Sequence, residues 1–403
     1  MAQEMGPGAI LLAWLLGAAI ALAGTCAYAA VAALIPRSGG EYRYLSDLLH
    51  PSLGYLAGWA SLLLGFSAPI AIDAVAAASY AGTLFPGAPD PRWLAAALVV
   101  AFTAAHAYGL RSSRWTQDLF AAVKSALLLG FIAVGLAFGA NRWPAWSAPG
   151  APAGFPLRPF MTGLFYIAYA FSGWNTAIYA AEEFREPRRD VPRALLFGCG
   201  LVAAAYLLVN WIFVANLTPE RARAVLLSSE TARVTLGHLV TRDLLGNAGA
   251  RAMSALVIVV FLSAMSAMTF AGPRVYAAMA RDGFLPRRLV GEDGRPPAAS
   301  TLLQGLVALV LIFTHHLRHL LENVGAILTL FGALTAAGLI RAALAGRDVP
   351  KGGLAAAALY IASAAWMLYF GFRDSTHLLL WIAAVAGLAL AAYFATRYHR
   401  SSS

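Results

Sequence analysis

Charge is the scarcest commodity in this sequence. Asp, Glu, Lys and Arg make up 12% of its 403 residues, against 60% hydrophobic, where a soluble domain carries about 25% charged residues. A chain so poor in charge cannot cover a globular surface of this size with polar groups. Lipid in place of water removes that requirement, so the composition defines a membrane protein. Cysteine is nearly absent as well. Cys26 and Cys199 both fall inside apolar runs, which excludes a disulfide framework and any cysteine-based metal site. No G-x-x-x-x-G-K-[ST] loop occurs, and this argues against a nucleotide-driven pump. The N-terminus also lacks the basic region of a signal peptide, since Glu4 is its one charge before a long apolar run.

What charge there is leans positive, at +10. Nucleic acid is not the partner this implies, because the basic residues sit in short loops between apolar runs rather than along one helix face. A helix crosses about 30 Å of hydrocarbon with about 20 mostly apolar residues. Eleven such runs are expected, over residues 8–35, 53–85, 93–110, 117–140, 160–181, 192–216, 251–279, 299–313, 323–344, 354–372 and 377–396. Arg37, Arg43, Arg185, Arg188, Arg189, Arg287, Arg288, Arg341, Arg347 and Arg397 fall on one side. The bias of short basic loops towards the cytoplasm then puts the C-terminus inside. In the long loop 217–250, Val234, Gly237, Val240 and Leu244 recur at helical spacing. They predict a short amphipathic helix, either a lid over the outer mouth or a helix packed on the interface. His106, His315 and His316 read as interfacial.

Three stretches carry chemistry. Residues 28–45 read YAAVAALIPRSGGEYRYL, where Pro36 and Gly39–Gly40 end a helix beside Arg37. Residues 171–194 read FSGWNTAIYAAEEFREPRRDVPRA; Pro192 suits a first helical turn with Asp190 as its cap. Residues 272–286 read GPRVYAAMARDGFLP. Within the second stretch, Ser172, Gly173 and Asn175 interrupt a span at mid-depth. Irregular backbone survives there only when buried in protein or lining a cavity, although a small-residue packing interface is the alternative. Glu182, Glu183, Arg188 and Arg189 are candidates for an inner gate, or serve topology alone. Lys124 is the one lysine inside a span and Asp73 the other buried ionisable group. Such charges are costly in a bilayer and usually functional, with snorkelling the alternative for Lys124. Asp73 could pair with Lys124, carry a proton or mark an aqueous path. Ser263 and Ser266 lie one turn apart and either face Lys124 or bond back to their own helix.

Taken in order, the three stretches resemble the amino acid–polyamine–organocation (APC) superfamily of amino acid permeases. The resemblance implies an all-α polytopic fold of two inverted five-helix repeats plus two C-terminal helices. A single transporter domain is expected over residues 8–398, divided as 8–140, 159–345 and 354–398. It further implies substrate binding by Phe171, Ser172, Gly173, Trp174 and Asn175, with Gly173 as the helix break. Lys124 would stand where related transporters bind sodium. No cofactor or metal is implied.

Two departures stand out. The first repeat has four runs where the second has five, so the family's first, glycine-broken helix is expected to be missing. A start codon placed too late at an internal Met is the expected cause, the other being a shorter natural protein. Ala30 stands where the family commonly has glutamate, which puts a gating role for that helix in doubt. The expected function is secondary transport of amino acids or related amines by alternating access, proton-coupled or by exchange, in the cell membrane of a bacterium. The alternative is a permease homologue that does not transport and acts as a sensor or assembly partner.

Overall fold

The computed structural model describes residues 5–85, 87, 89–108, 110–140, 155–216, 236–291, 297–314 and 317–374, with 387, 390, 393 and 394 beyond them. All regular structure among them is helical. It comprises α1 (Pro7–Leu34), α2 (Gly40–Leu48), α3 (Pro51–Ala60), α4 (Ala68–Leu84), α5 (Pro91–Tyr108), α6 (Leu110–Phe138) and α7 (Leu157–Ala170). These are followed by α8 (Pro187–Asn216), α9 (Leu236–Arg281), α10 (Ala298–Thr314), α11 (Leu317–Leu344) and α12 (Lys351–Asp374). A wide π turn, Ser61–Ser67, joins α3 to α4, and a 3-10 segment, Ser172–Glu183, follows α7.

Proline sets several of these boundaries. Pro7 and Pro51 occupy the first turns of α1 and α3, where a missing N–H costs nothing. Pro69 falls inside a continuous span. It cannot donate to the preceding turn, and the π turn before it absorbs that mismatch.

Among the described residues, seven helical stretches are long and apolar enough to cross a bilayer: Pro7–Leu34, Pro51–Gly82, Asp118–Phe138, Pro187–Asn216, Val240–Arg281, Val324–Leu344 and Lys351–Phe370. Ala298–Thr314 is a shorter apolar helix. The Pro51–Gly82 span is 83% buried in its most apolar window, whereas Asp118–Phe138 is 17% buried. The first is therefore the central span and the second is peripheral, its exposed Leu119, Leu127, Leu129 and Phe138 turned outward as befits a lipid-facing surface. Small residues let α1 approach its neighbours closely. Gly17 meets the Ile167 side chain of α7, and a Cβ at Gly24 would lie 2.8 Å from the Tyr360 ring of α12.

The observed elements differ from the expected runs in two places. The run expected over 160–181 changes from α to 3-10 geometry at Phe171. No loop separates residues 111–117 from the fourth run, because α6 reaches back to Leu110. The expected short helix is present as residues 236–245, the first part of α9, set off from the long span by a non-helical kink at Gly246 (φ 67°). His106, near the end of α5, meets a neighbouring helix: its Nε2 lies 3.0 Å from Ser266 Oγ on α9. Val234, His315, His316 and most of the run 377–396 lie outside the described residues.

Candidate functional site

Polar groups concentrate where the 3-10 segment passes α1 and α2. The α helix of α7 holds as far as the Phe171 N–H, which donates to Ile167 O at 3.0 Å. The Trp174 N–H then donates to Phe171 O, also at 3.0 Å, and the bonding has shifted from four residues to three. Tyr206 of α8 supports the change by donating its hydroxyl to Ala170 O at 2.9 Å. The carbonyl that loses its helical donor is thereby satisfied by a side chain, as a buried carbonyl requires.

The break is therefore at Phe171 (φ −86°, ψ −1°), not at Gly173. Gly173 is exposed, and a Cβ added there would meet nothing nearer than Thr176 Oγ1 at 3.9 Å. A tighter 3-10 winding rather than an unwound gap interrupts the helix, so the offered groups are mainly side chains. Phe171, Ser172, Trp174 and Asn175 all line one cavity of about 600 Å³ of empty space, counting its open mouth. Gly173 does not. The other walls come from α1 (Gly17, Ile20, Ala21, Tyr28), α7 (Leu164, Ala168), α11 (Leu328, Thr329) and α12 (Tyr360, Met367). Glu41 closes the α2 end.

Glu41 was not among the residues singled out from the sequence. Gly39 (φ 121°) and Gly40 (φ 58°) turn the chain sharply after α1, a conformation that residues with a Cβ rarely adopt. A Cβ on Gly40 would collide with the Tyr179 ring. That turn brings Glu41 to the first turn of α2, buried beneath the cavity. Its Oε1 accepts from Asn175 Nδ2 at 2.6 Å and from the Tyr28 hydroxyl at 3.1 Å. Its Oε2 accepts from the Tyr179 hydroxyl at 2.6 Å. Burial pushes the Glu41 carboxyl above the ordinary carboxylate range, against the opposing pull of Tyr179, its own backbone, Tyr28 and Asn175. Trp174 stacks edge-on against Tyr28, ring centroids 4.7 Å apart. The readable signal was an acid placed directly after a glycine pair and between apolar runs. Ala30, by contrast, is buried and faces Gly353, where an added Cβ would lie 2.7 Å from the Ala30 methyl.

Below Glu41, ion pairs tie the helix ends together. Arg274 of α9 reaches Glu183 Oε1 from two nitrogens, at 2.7 and 2.8 Å. Its guanidinium lies 3.5 Å from the centre of the Phe270 ring. Arg43 pairs with Asp282 at 2.9 Å, and the Tyr42 hydroxyl donates to the same carboxylate oxygen at 2.6 Å. Arg341 Nη1 donates to Leu48 O at 2.9 Å, meeting the negative end of α2. Of the expected gate residues, Glu183 sits in this network. Glu182 contributes its backbone N–H, which donates to Ser38 Oγ at 3.0 Å. Arg189 instead pairs locally with Glu186 at 3.1 Å, both side chains exposed, and Arg188 is exposed.

The other singled-out residues lie apart from the cavity. Asp73 is buried on α4. Lys124 is half-buried on the inward stripe of α6, in register with Phe120, Leu128 and Phe131. Among the described residues no ion pair joins the two. Ser263 and Ser266 are buried on α9, and no hydrogen bond from either to Lys124 is seen among the described residues. Ser266 meets His106 instead. Among the described residues no cluster of His, Cys, Asp or Glu could hold a metal ion.

A polytopic helical bundle with a polar pocket walled by several of its spans is the build of a membrane transporter. The chain belongs to the amino acid permease family, whose model it matches over residues 2–396. It is 27% identical to the mouse b(0,+)-type amino acid transporter 1 over 364 residues, which cover 87% of this chain and 72% of that protein. It is 28% identical to the human large neutral amino acids transporter small subunit 2 over 359 residues, covering 85% of this chain and 65% of that protein. The chain thus spans about two thirds of the length of these relatives. It is a transporter by family and not an enzyme.

Proposed function

We propose that this chain carries amino acids or related amines across the cell membrane by alternating access, driven by protons or by exchange. The observation that carries the reading is the cavity walled by Phe171, Ser172, Trp174 and Asn175, where an α helix gives way to 3-10 geometry. A zwitterion there meets the Ser172 and Thr329 hydroxyls, the Asn175 amide and the Tyr28, Trp174 and Tyr360 rings. The family membership and the names of the relatives support amino acids as the substrate class.

In this reading Lys124 is a fixed positive charge in place of a coupling sodium, with Ser263 and Ser266 on the facing helix, and Asp73 carries a proton. The inner gate is the Glu182–Glu183 end of the 3-10 segment. Arg274 rather than Arg188 or Arg189 is its cationic partner, because Arg274 makes the contact. The C-terminus is cytoplasmic, and the transport domain covers 8–398, divided as 8–140, 159–345 and 354–398. The test is uptake and counterflow of labelled amino acids in proteoliposomes holding the purified chain. Saturable counterflow is expected. Its absence for every proteinogenic amino acid would favour a sensor or assembly partner built on a permease fold.

A further inference from the structure

Building on the transport reading, we propose that Glu41 is a proton-binding site of the transport cycle. Its carboxylate takes up a proton from pocket water as the 3-10 segment packs against α2, and returns it to water when that contact opens.

The arrangement of donors makes the case. One buried carboxylate gathers three donors: Tyr28 from α1, and Asn175 and Tyr179 from the 3-10 segment. Among the described residues no ion pair reaches it, and Arg43, two residues on, is committed to Asp282. A buried carboxylate is costly unless paired; here three donors offset part of that cost, and a proton removes the rest. The titratable groups facing Glu41 are Tyr28, Tyr179, Tyr44 on its own helix and Tyr360 of α12, with Tyr276 of α9 behind Tyr179. All are phenols, which stay neutral where carboxylates titrate. Glu41 is the one group of this cluster whose charge changes there. Because it lines the cavity, water can bring the proton.

Protonation cannot be silent in such a cluster. An ionised carboxylate accepts from all three partners, but a neutral carboxyl carries an O–H that must itself donate. One tyrosine hydroxyl must then rotate, or the Asn175 amide must turn its oxygen inward. Asn175 and Trp174 share a wall of the pocket, so the proton is felt by the substrate site. The sign follows from burial, which raises the carboxyl's pKa in the packed arrangement. Acid therefore favours the packed form. As pH rises through the raised value, ionisation favours the form in which water reaches Glu41.

The experiment compares wild-type protein with Glu41→Gln and Tyr179→Phe in proteoliposomes, measuring counterflow at equal pH and uptake driven by a proton gradient. For Glu41→Gln, the ratio of driven uptake to counterflow is expected to fall at least about tenfold, and the pH profile of any remaining exchange to flatten. Tyr179→Phe removes a donor to the ionised form, so the midpoint of its profile is expected to move up by about one pH unit. A wild-type ratio in Glu41→Gln, or an unmoved midpoint in Tyr179→Phe, would overturn the proposal. If Glu41→Gln does not fold, the Tyr179→Phe midpoint decides. Failure of counterflow in the wild-type protein would sink the transport reading instead. The proton is then read by infrared titration of the carboxyl bands, where a protonated band lost in Glu41→Gln, or moved in Tyr179→Phe, supports the assignment and an unchanged one refutes it.

Discussion

The side-chain amide of Asn175 donates to Glu41 across 2.6 Å, and together with the Tyr179 hydroxyl this bond fastens the pocket-lining segment to the helix that follows the first span. An aspartate at position 175 would set two carboxylates against each other, which forces one to hold its proton to higher pH. Asn175→Asp is expected to keep its stability under acid and lose it as pH rises through that value. Thermal unfolding followed between acid and alkaline pH measures this, and a pH-independent loss would contradict it.

Gly40 allows no side chain. Its φ of 58° is in the left-handed region, and a Cβ there would overlap the Tyr179 ring. Gly40→Ala should cost about 1–3 kcal/mol from backbone strain alone, seen as a lower unfolding temperature in detergent. Gly200→Ala on α8 meets open space and should stay within about 0.5 kcal/mol of the parent.

The Glu183–Arg274 pair is partly exposed, at 43% and 21% of the side chains. Its worth should therefore be modest, about 0.5–1 kcal/mol of coupling in a double-mutant cycle of Glu183→Gln and Arg274→Gln. Arg188→Ala should change stability by no more than about 0.5 kcal/mol. A larger effect from Arg188 than from Arg274 would reverse the assignment of the gate.

Among the described residues no ion pair joins Lys124 to Asp73. The effects of Lys124→Gln and Asp73→Asn on unfolding should therefore add to within about 0.5 kcal/mol. A clear deviation from additivity would show that the two charges meet in a conformation other than this one.

The helical bundle was legible because a bilayer demands long apolar runs, and that demand is local in sequence. The polar interruption at Ser172–Asn175 was legible for the same reason. Its hinge was not, because the break at Phe171 is fixed by Tyr206, 36 residues away, capturing Ala170 O. Glu41 was harder still. The acid was sought at position 30, on the span itself, and the partner that gives Glu41 meaning lies 134 residues on. Arg274 stands in the third quoted stretch but was given no role, because its partner Glu183 lies 91 residues away in the chain.

Substrate protection of position 172 tests the central claim most directly. In a background free of Cys26 and Cys199, the Ser172→Cys variant is treated with a membrane-permeant thiol reagent, with and without a transported amino acid. The solute is expected to slow the modification at position 172 and to leave unchanged that of Gly200→Cys, which faces open space on α8. Equal rates at position 172 with and without saturating amino acid would mean that the cavity beside the 3-10 segment is not where the solute binds.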